Sequence, residues 1–276
     1  MKNKKRFKAS SLLKYIPLVI WTLITIIPLL VVFIGSVKSN HEFMNSGVLS
    51  LPKHWDFHNY VQAFNQGQML TGFKNTFIIF VVSMAGQLLI SSSFAYVMSR
   101  FEFRLKKVIM SLFMFAMLIP AITSQVATFQ IINGLGLVDT IWSVIILYLG
   151  TNIIAVYIFM QFLQEIPVSL DESAYLDGAS YFRIFRSIIL PNLKAPIVTM
   201  LIISGVGVYN DFYNPYLYMP DPSLKVISTA LFAFKGAHNT QWPYILSAVM
   251  IVIIPILILF LALQKYIYNG VTGSVK

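Results

Sequence analysis

The chain has 276 residues, of which 57% are hydrophobic and only 11% are charged. Soluble domains carry about 25% charged residues, so this composition excludes an ordinary soluble protein and predicts one embedded in a lipid bilayer. The formal net charge of +10 is explained by basic residues that set membrane topology and contact anionic lipid, with no nucleic acid as a partner. Because the chain has no cysteine, it has no disulfides and no thiolate metal site.

Six uncharged stretches of the chain are candidates for transmembrane helices, each of which needs roughly 20 apolar residues. In chain order they are 15–37, 75–99, 108–138, 140–164, 195–210 and 236–264. The fifth stretch is short and carries Pro196 near its start, so it reaches span length only with neighbouring residues. The sequence therefore predicts an all-α, polytopic membrane protein with six transmembrane helices.

The distribution of lysine and arginine predicts the orientation of these spans. Most of them lie in residues 1–14, in the loops after the second and fourth spans, and near the C-terminus. The positive-inside rule therefore places both termini and the loop 165–194 in the cytoplasm. We expect a basic cytoplasmic tail (1–14), a single transmembrane domain (15–268) and a cytoplasmic C-terminal tail (269–276). No small-residue cleavage site follows the first apolar run, so we expect an uncleaved first span.

The loop 165–194 is longer than a connection between two spans requires, and its pattern predicts structure. Pro167, followed by Ser169 and Glu172 at capping-box spacing, predicts the start of a helix over about 170–177. An amphipathic hairpin lying on lipid is one interpretation of this loop. Its acidic residues favour a docking surface for another protein instead, since interfacial helices prefer lysine and arginine.

The end of this helix is predicted at Gly178, which is placed to adopt the left-handed conformation. Ser180 is placed to cap a second helix that runs toward Pro191. Two short helices joined at a glycine would form an elbow at the membrane surface.

The six stretches contain no Asp, Glu, Lys or Arg, and Asp211 lies directly at the end of the fifth. Ion-coupled transporters depend on buried ionisable groups, so their absence disfavours that class. The chain also has no G-x-x-x-x-G-K-[ST] phosphate loop. No His/Asp/Glu cluster lies near a membrane face, which disfavours an enzyme, and the histidines have no metal-ligand spacing. A passive translocator driven by a partner agrees with all of these absences.

The segment that follows the fifth stretch, Tyr209-Asn210-Asp211 and onward to Pro215, combines polar and aromatic groups. It is either a turn that ends the helix or a gate at the mouth of a translocation path, and both interpretations stay open.

Residues 172–191 resemble a known family motif. They read E-S-A-Y-L-D-G-A-S-Y-F-R-I-F-R-S-I-I-L-P, which is similar to the EAA motif, E-A-A-x-x-D-G-A-x-x-x-x-x-F-x-x-I-x-L-P. That motif marks the permease subunits of binding-protein-dependent ABC importers. The sequence departs from it at Ser173, a small residue that replaces the first Ala.

Other segments resemble the carbohydrate (maltose-type) subfamily of these permeases. Asn75, the stretch 94–101, Pro120 and Gly136-Leu137 are similar to that subfamily. Tyr209-Asn210-Asp211-Phe212-x-x-Pro215 resembles its W-N-D-F-x-x-P segment, with Tyr in place of Trp. The ending over 264–276 is similar to that of the six-span, maltose-type partner of the permease pair, without its usual final Gly.

The resemblance implies that residues 169–182 form an amphipathic coupling helix between spans four and five, seated in a cleft of a separate cytoplasmic ATPase. Glu172 is expected to accept a charge-assisted hydrogen bond from that ATPase, and Gly178 to supply the bend. The motif positions carried over as coupling residues are Glu172, Ala174, Asp177, Gly178, Ala179, Phe185 and Pro191. In the tail, Gly270, Gly273 and Lys276 are expected to contact the ATPase pair.

The resemblance also implies a set of partners and a function. We expect a second permease subunit, two copies of the ATPase subunit, an extracytoplasmic sugar-binding protein and membrane lipid. ATP and Mg are expected on the ATPase, and no cofactor on this chain. The chain would form half of the translocation path of an ATP-driven carbohydrate importer. Candidate path or gate residues are Tyr148, Asn152, Tyr209, Asn210 and Asp211.

Two alternatives remain open at this point. The chain can be an ABC importer permease for another solute class, such as amino acids, peptides or ions. It can also be an ion-coupled secondary transporter, which the uncharged spans disfavour.

Overall fold

The computed structural model describes residues 9–150, 152–234 and 241–273 of the chain. Within these ranges every regular element is helical, which confirms the predicted all-α class. The chain divides into two compact units. The first comprises the described residues of Met1–Met69 and Leu231–Ile254, and the second those of Leu70–Ala230 and Pro255–Lys276.

In the first unit, a buried lysine follows the end of the long helix and binds the loop after the second helix. Its elements are α1 (Ala9–Ser36), α2 (Asn40–Asn45), α3 (His58–Gln66), a 3-10 turn (Leu231–Phe234) and the first half of α15 (Trp242–Gly273). Lys38, only 1% exposed, donates hydrogen bonds to the Oγ atoms of Ser46 and Ser50 and to the Gly47 carbonyl. These bonds satisfy its three donors and fix the loop after α2.

The second unit holds the loop that the sequence singles out. Its helices in chain order are α4 (Met69–Arg100), α5 (Lys106–Leu118), α6 (Ala121–Gly134), α7 (Ile141–Leu149), α8 (Ile153–Glu165), α9 (Val168–Leu176), α10 (Tyr181–Ile184), α11 (Leu190–Asn192), α12 (Lys194–Asn210), α13 (Tyr213–Tyr218) and α14 (Ile227–Ala230). A π-helical turn, Phe185–Ile189, joins α10 to α11, and a 3-10 turn, Pro222–Leu224, precedes α14. The second half of α15 also belongs to this unit.

Several helices are long and apolar enough to cross a membrane, judged by length and composition. Three do so as single helices: Tyr15–Ser36, Met69–Arg100 and Trp242–Ala262. Three further candidates are bent pairs: Lys106–Leu118 with Ile122–Gly134 at 108°, Ile141–Leu149 with Ile153–Glu165 at 41°, and Tyr181–Asn192 with Lys194–Asn210 at 73°. The described residues therefore supply three spans, or up to six if each bent pair crosses as one.

The third predicted stretch, 108–138, is not one straight helix. Its first helix, α5, ends at Leu118, and Ile119 is extended with ψ 116°. Pro120 then stands at the N-cap of α6. The ring of a proline disfavours helical backbone in the preceding residue, which explains why the break falls at Ile119.

A buried apolar cluster lies between α4, α8, the loop after α8 and α12. In α8, Ala155, Phe159 and Leu163 are fully buried and follow one another at four-residue spacing, so they share one face. The cluster consists of Ala95, Tyr96, Ala155, Val156, Phe159, Leu163, Ile184, Phe185, Ile189, Leu193 and Met200. The predicted elbow is therefore packed against the helices and is not a detached surface hairpin.

We expect Phe159→Ala to destabilise the protein by about 3–5 kcal/mol, because the neighbours of a buried ring fill the resulting cavity only in part. Ile154→Ala is the matched control, since Ile154 lies on the same helix and is 52% exposed. Thermal unfolding of the purified protein in detergent measures the difference. Equal shifts in melting temperature for both variants would contradict a core around α8.

Candidate functional site

The first helix of the elbow, α9, begins earlier than the sequence predicts. Its N-cap is Pro167, with φ −58° and ψ 133°, and no side chain caps the helix. The N–H of Leu170 donates to the Pro167 carbonyl over 3.2 Å. The predicted capping box at Ser169 is therefore wrong. The backbone becomes helical immediately after Pro167, so Ser169 already lies in the first turn and is not available as a cap.

The end of α9 confirms the predicted left-handed conformation of Gly178. Gly178 has φ +84°. Its N–H donates to the Tyr175 carbonyl, and the N–H of Ala179 donates to the Ala174 carbonyl, both over 3.0 Å. These two bonds form a Schellman motif, which satisfies carbonyls that the end of a helix leaves without donors. Ala174 and Ala179 both pack on the buried cluster, as small residues at a close turn allow.

The second arm of the elbow begins as predicted and then changes its winding. Ser180 caps α10, and its Oγ accepts a hydrogen bond from the N–H of Arg183. The π-helical turn Phe185–Ile189 follows, just before Pro191. Because proline has no N–H and its ring clashes with the carbonyl four residues earlier, a regular α-helix is disfavoured there. The wider turn accommodates the proline ahead of the 73° bend into α12.

The elbow has one buried face and one exposed face. Phe185 is 9% exposed and belongs to the buried cluster. Glu172 and Asp177 are exposed, and beside them Leu176 and Phe182 are 86% and 71% exposed. Large exposed apolar side chains of this kind are typical of a surface that contacts another protein.

A hollow of about 250 Å³ lies in the angle between the two arms. Its walls include Ala174 and Ala179, and Asp177 and Arg183 supply charged groups. Larger side chains at the two alanines would fill this hollow. The motif positions 174 and 179 thus shape both the turn and the surface next to it.

An arginine that the sequence did not single out as a site residue connects the elbow to α4. The Nε of Arg100 donates to Asp171 Oδ2 over 2.8 Å, and its Nη2 donates to the Ile166 carbonyl over 2.7 Å. The side chains of Arg100 and Asp171 are 9% and 13% exposed. The only sequence signal for this contact is a basic residue at the end of an apolar stretch, which reads equally well as a topology signal.

The candidate path residues fall into separate places. Tyr148 Oη donates to Asp211 Oδ2 over 2.6 Å, and Asn214 Nδ2 donates to the same oxygen over 2.6 Å. The Tyr148 carbonyl accepts from Gln87 Nε2 on α4. This group, Gln87, Tyr148, Asp211 and Asn214, is called the Asp211 network below. The sequence identified two of its four members.

The other three candidates lie outside the Asp211 network. Asn152 caps α8 through the N–H of Ala155 and donates to Ser204 Oγ. Tyr209 lines an apolar pocket of about 230 Å³ together with Phe77 and Phe80. Asn210 is exposed at the end of α12.

In the C-terminal segment, α15 stays helical through Gly273, so Gly270 and Gly273 lie within its last turns. Lys276 lies outside the described residues. Among the residues that the structure does describe, no group of His, Asp and Glu side chains can hold a metal ion.

Comparison with known proteins gives the class of this multi-pass membrane protein. Residues 87–273 match the family described as the inner membrane component of binding-protein-dependent transport systems. The match covers more than half of the chain, and the chain belongs to this family of ABC importer permeases. This confirms the subunit type predicted from the EAA-like motif, which is a transport component and not an enzyme.

Two relatives and one solved structure illustrate the similarity. The probable ABC transporter permease protein YurM of Bacillus subtilis is 33% identical over 251 residues, which cover 90% of this chain and 83% of the relative. The galactooligosaccharides transport system permease protein GanQ of the same organism is 30% identical, covering 95% and 94%. The fold is similar to that in the crystal structure of a bacterial ABC transporter involved in the import of the acidic polysaccharide alginate. That likeness has a TM-score of 0.84 at 20% identity, over 94% of this chain and 98% of the other.

We expect Gly178→Ala to destabilise the elbow by about 1–2 kcal/mol, because an L-residue at φ +84° brings its Cβ close to the following carbonyl. Apart from its own residue and its two chain neighbours, a Cβ there would meet no atom within 4 Å, so backbone strain alone causes the loss. Gly134→Ala is the matched control, since it also meets no atom within 4 Å but lies in the last turn of α6. In thermal unfolding, the melting temperature of Gly178→Ala should be lower than that of Gly134→Ala. A Gly178→Ala protein as stable as Gly134→Ala would contradict the left-handed turn.

We expect Tyr148→Phe to lower the melting temperature, because it removes a donor to a carboxylate, and such bonds contribute about 1.5–3 kcal/mol. Asn214 still donates to the same oxygen, so the loss should lie at the low end of that range. Tyr157→Phe, at a half-exposed position of α8, is the control. If the two variants unfold at the same temperature, the Tyr148–Asp211 bond contributes nothing measurable.

Proposed function

We propose that this chain is one of two permease subunits in an ATP-driven carbohydrate importer, where it forms half of the translocation path. The observation that carries the proposal is the elbow: a helix, a left-handed Gly178 and a capped second helix, with Glu172 and Asp177 exposed on one side. The elbow follows the bent pair that ends at Glu165, and its second arm is the first part of the bent pair that begins at Tyr181; each pair qualifies as a span by length and composition. A carbohydrate cargo is supported by the relative GanQ, which is named for galactooligosaccharides.

The proposed topology has six spans, with both termini and the elbow in the cytoplasm. It is supported by the excess of lysine and arginine in the corresponding segments. In this orientation α9 is the coupling helix, and its exposed face docks in a cleft of the ATPase subunit. A second permease subunit, two ATPase subunits that bind ATP and Mg, and an extracytoplasmic sugar-binding protein complete the complex. Gly270, Gly273 and Lys276 are proposed to contact the ATPase pair.

The chain's own part in transport follows from this docking. When the ATPase pair closes, the coupling helices of the two permeases move together, and the spans change from inward-open to outward-open. The buried face of the elbow, around Phe185, transfers this motion to the helices against which it packs. The Asp211 network, at the end of α12, is proposed as a gate of the path.

We expect Glu172→Ala to weaken co-purification of the ATPase or to uncouple ATP hydrolysis from transport, because it removes an exposed acceptor from the docking face. Gly178→Pro should act more severely, since proline is locked near φ −65° and cannot adopt +84°. Sugar-stimulated ATP hydrolysis and sugar uptake by the purified, reconstituted complex measure both effects.

Glu165→Ala is the matched control, because Glu165 is an exposed carboxylate at the end of α8, outside the motif. It should assemble and transport like the wild type. Normal assembly and transport by Glu172→Ala and Gly178→Pro would refute the role of the elbow as a coupling element.

A further inference from the structure

The end of α4 is fixed to the elbow by a buried joint. Arg100, the last residue of α4, binds both Asp171 in α9 and the Ile166 carbonyl just before α9. Two hydrogen bonds from one planar guanidinium restrict both the position and the angle of the start of α9. Helix α9 therefore cannot shift away from the end of α4 without breaking two hydrogen bonds to one side chain.

The buried position of this ion pair sets it apart from a surface pair. The Arg100 and Asp171 side chains are 9% and 13% exposed, whereas the nearby Lys106–Glu102 pair is 23% and 86% exposed. Exposed pairs contribute little to stability, but breaking a buried pair leaves an uncompensated charge. Asp171 Oδ1 is also buried and has no hydrogen-bond partner among the described residues. A buried oxygen without a hydrogen-bond donor carries a desolvation penalty, so stabilising the fold does not by itself explain this ion pair.

Aromatic rings form a second contact in the same joint. Phe101, which follows α4, packs edge-to-face on Tyr96 at 5.9 Å and on Tyr181 at 5.1 Å between ring centroids. Tyr96 also lies 5.6 Å from Phe185. Both arms of the elbow are thus attached to the end of α4, one through Asp171 and the other through Tyr181.

The opposite end of α4 is attached to a different segment, residues 223–227. Asn75 Nδ2 donates to the carbonyls of Ser223 and Lys225, both over 3.0 Å. The N–H of Ile227 donates to Thr76 Oγ1 over 2.9 Å. The next residue, Ser228, donates through Oγ to the Asp211 carbonyl. This end of α4 is therefore connected to the backbone of the Asp211 network.

Between these two attachments α4 is one unbroken helix. It has 32 residues and no proline, and unlike the three bent pairs it has no break. The distance from Thr76 to Arg100 along its axis is about 36 Å, at 1.5 Å per residue. That distance exceeds the hydrocarbon thickness of about 30 Å, so α4 is long enough to reach from one side of a membrane to the other.

We propose that α4 is a rigid rod that carries the motion of the coupling helix α9 across the membrane to the segment 223–227. Arg100 and Asp171 are the positioning residues that fix the rod to α9. The inference rests on the proposed function, because it takes α9 to be the part that the ATPase moves. The inference adds that α4 transmits the motion of α9 to the Asp211 network.

The first test separates transmission from stability. In the reconstituted complex, Arg100→Gln and Asp171→Asn should each lower the amount of sugar transported per ATP hydrolysed about tenfold, while ATPase co-purification persists. Arg100→Lys should recover part of this ratio, because an ammonium still pairs with Asp171. Lys106→Gln, which removes the exposed pair, should leave the ratio unchanged. If the variants lower only the yield or the melting temperature, and the assembled complex keeps its ratio, the rod is refuted.

The second test measures whether α9 and the far end of α4 keep a fixed distance. Because the chain has no cysteine, spin labels can be placed at Leu70→Cys and at Val168→Cys in the first turn of α9, which are 70% and 52% exposed. The distance between them should stay the same in the nucleotide-free and ATP-trapped complex. In the Arg100→Gln background, the distribution should broaden or shift between the two states. A wild-type change larger than one helical turn, about 5 Å, would overturn the proposal.

The outcomes distinguish this inference from the proposed function. A wild-type complex with no sugar-stimulated hydrolysis refutes the importer and the rod together. A wild-type complex that couples, with Arg100→Gln and Asp171→Asn coupling equally well, refutes the rod alone.

Discussion

The elbow depends on a single backbone conformation, that of Gly178. With φ +84°, the chain reverses direction within two residues and closes the Schellman hydrogen bonds to α9. This turn brings Ala179 back against Ala174 on the buried cluster. It also leaves Glu172 and Leu176 on the outside. Any residue with a Cβ at position 178 would have a less favourable backbone energy at this φ, whichever atoms surround it.

The features that the sequence predicted well are those whose hydrogen bonds are local. The turn at Gly178 and the cap at Ser180 each depend on partners within five residues, so their signals lie in one short window. The start of α9 was missed because two valid start signals compete. A proline and a serine two residues apart both suit a helix N-terminus, and the proline determines the outcome.

Long-range pairings could not be predicted from a single sequence. Arg100 and Asp171 are 71 positions apart, and Tyr148 and Asp211 are 63 apart. Composition identified some of these residues as polar groups at the ends of apolar stretches, but nothing in it states which ones meet. Tyr209 and Asp211 show the difficulty most clearly. They are near neighbours in sequence, yet one lines an apolar pocket and the other binds Tyr148, since α12 ends between them.

The break at Pro120 has a consequence for what surrounds this part of the chain. Pro120 has no N–H, so the last carbonyls of α5 lose helical donors, and α6 leaves at 108° to it. In the proposed six-span topology, α5 and α6 together form one span. Hydrocarbon offers no donors to replace the lost ones, so irregular backbone within it is tolerated only beside protein or in a water-filled cavity. Leu118 and Ile122, which are 76% and 75% exposed, flank the break. In that topology, the kinked backbone marks a part of the chain's surface that contacts protein or water and not lipid.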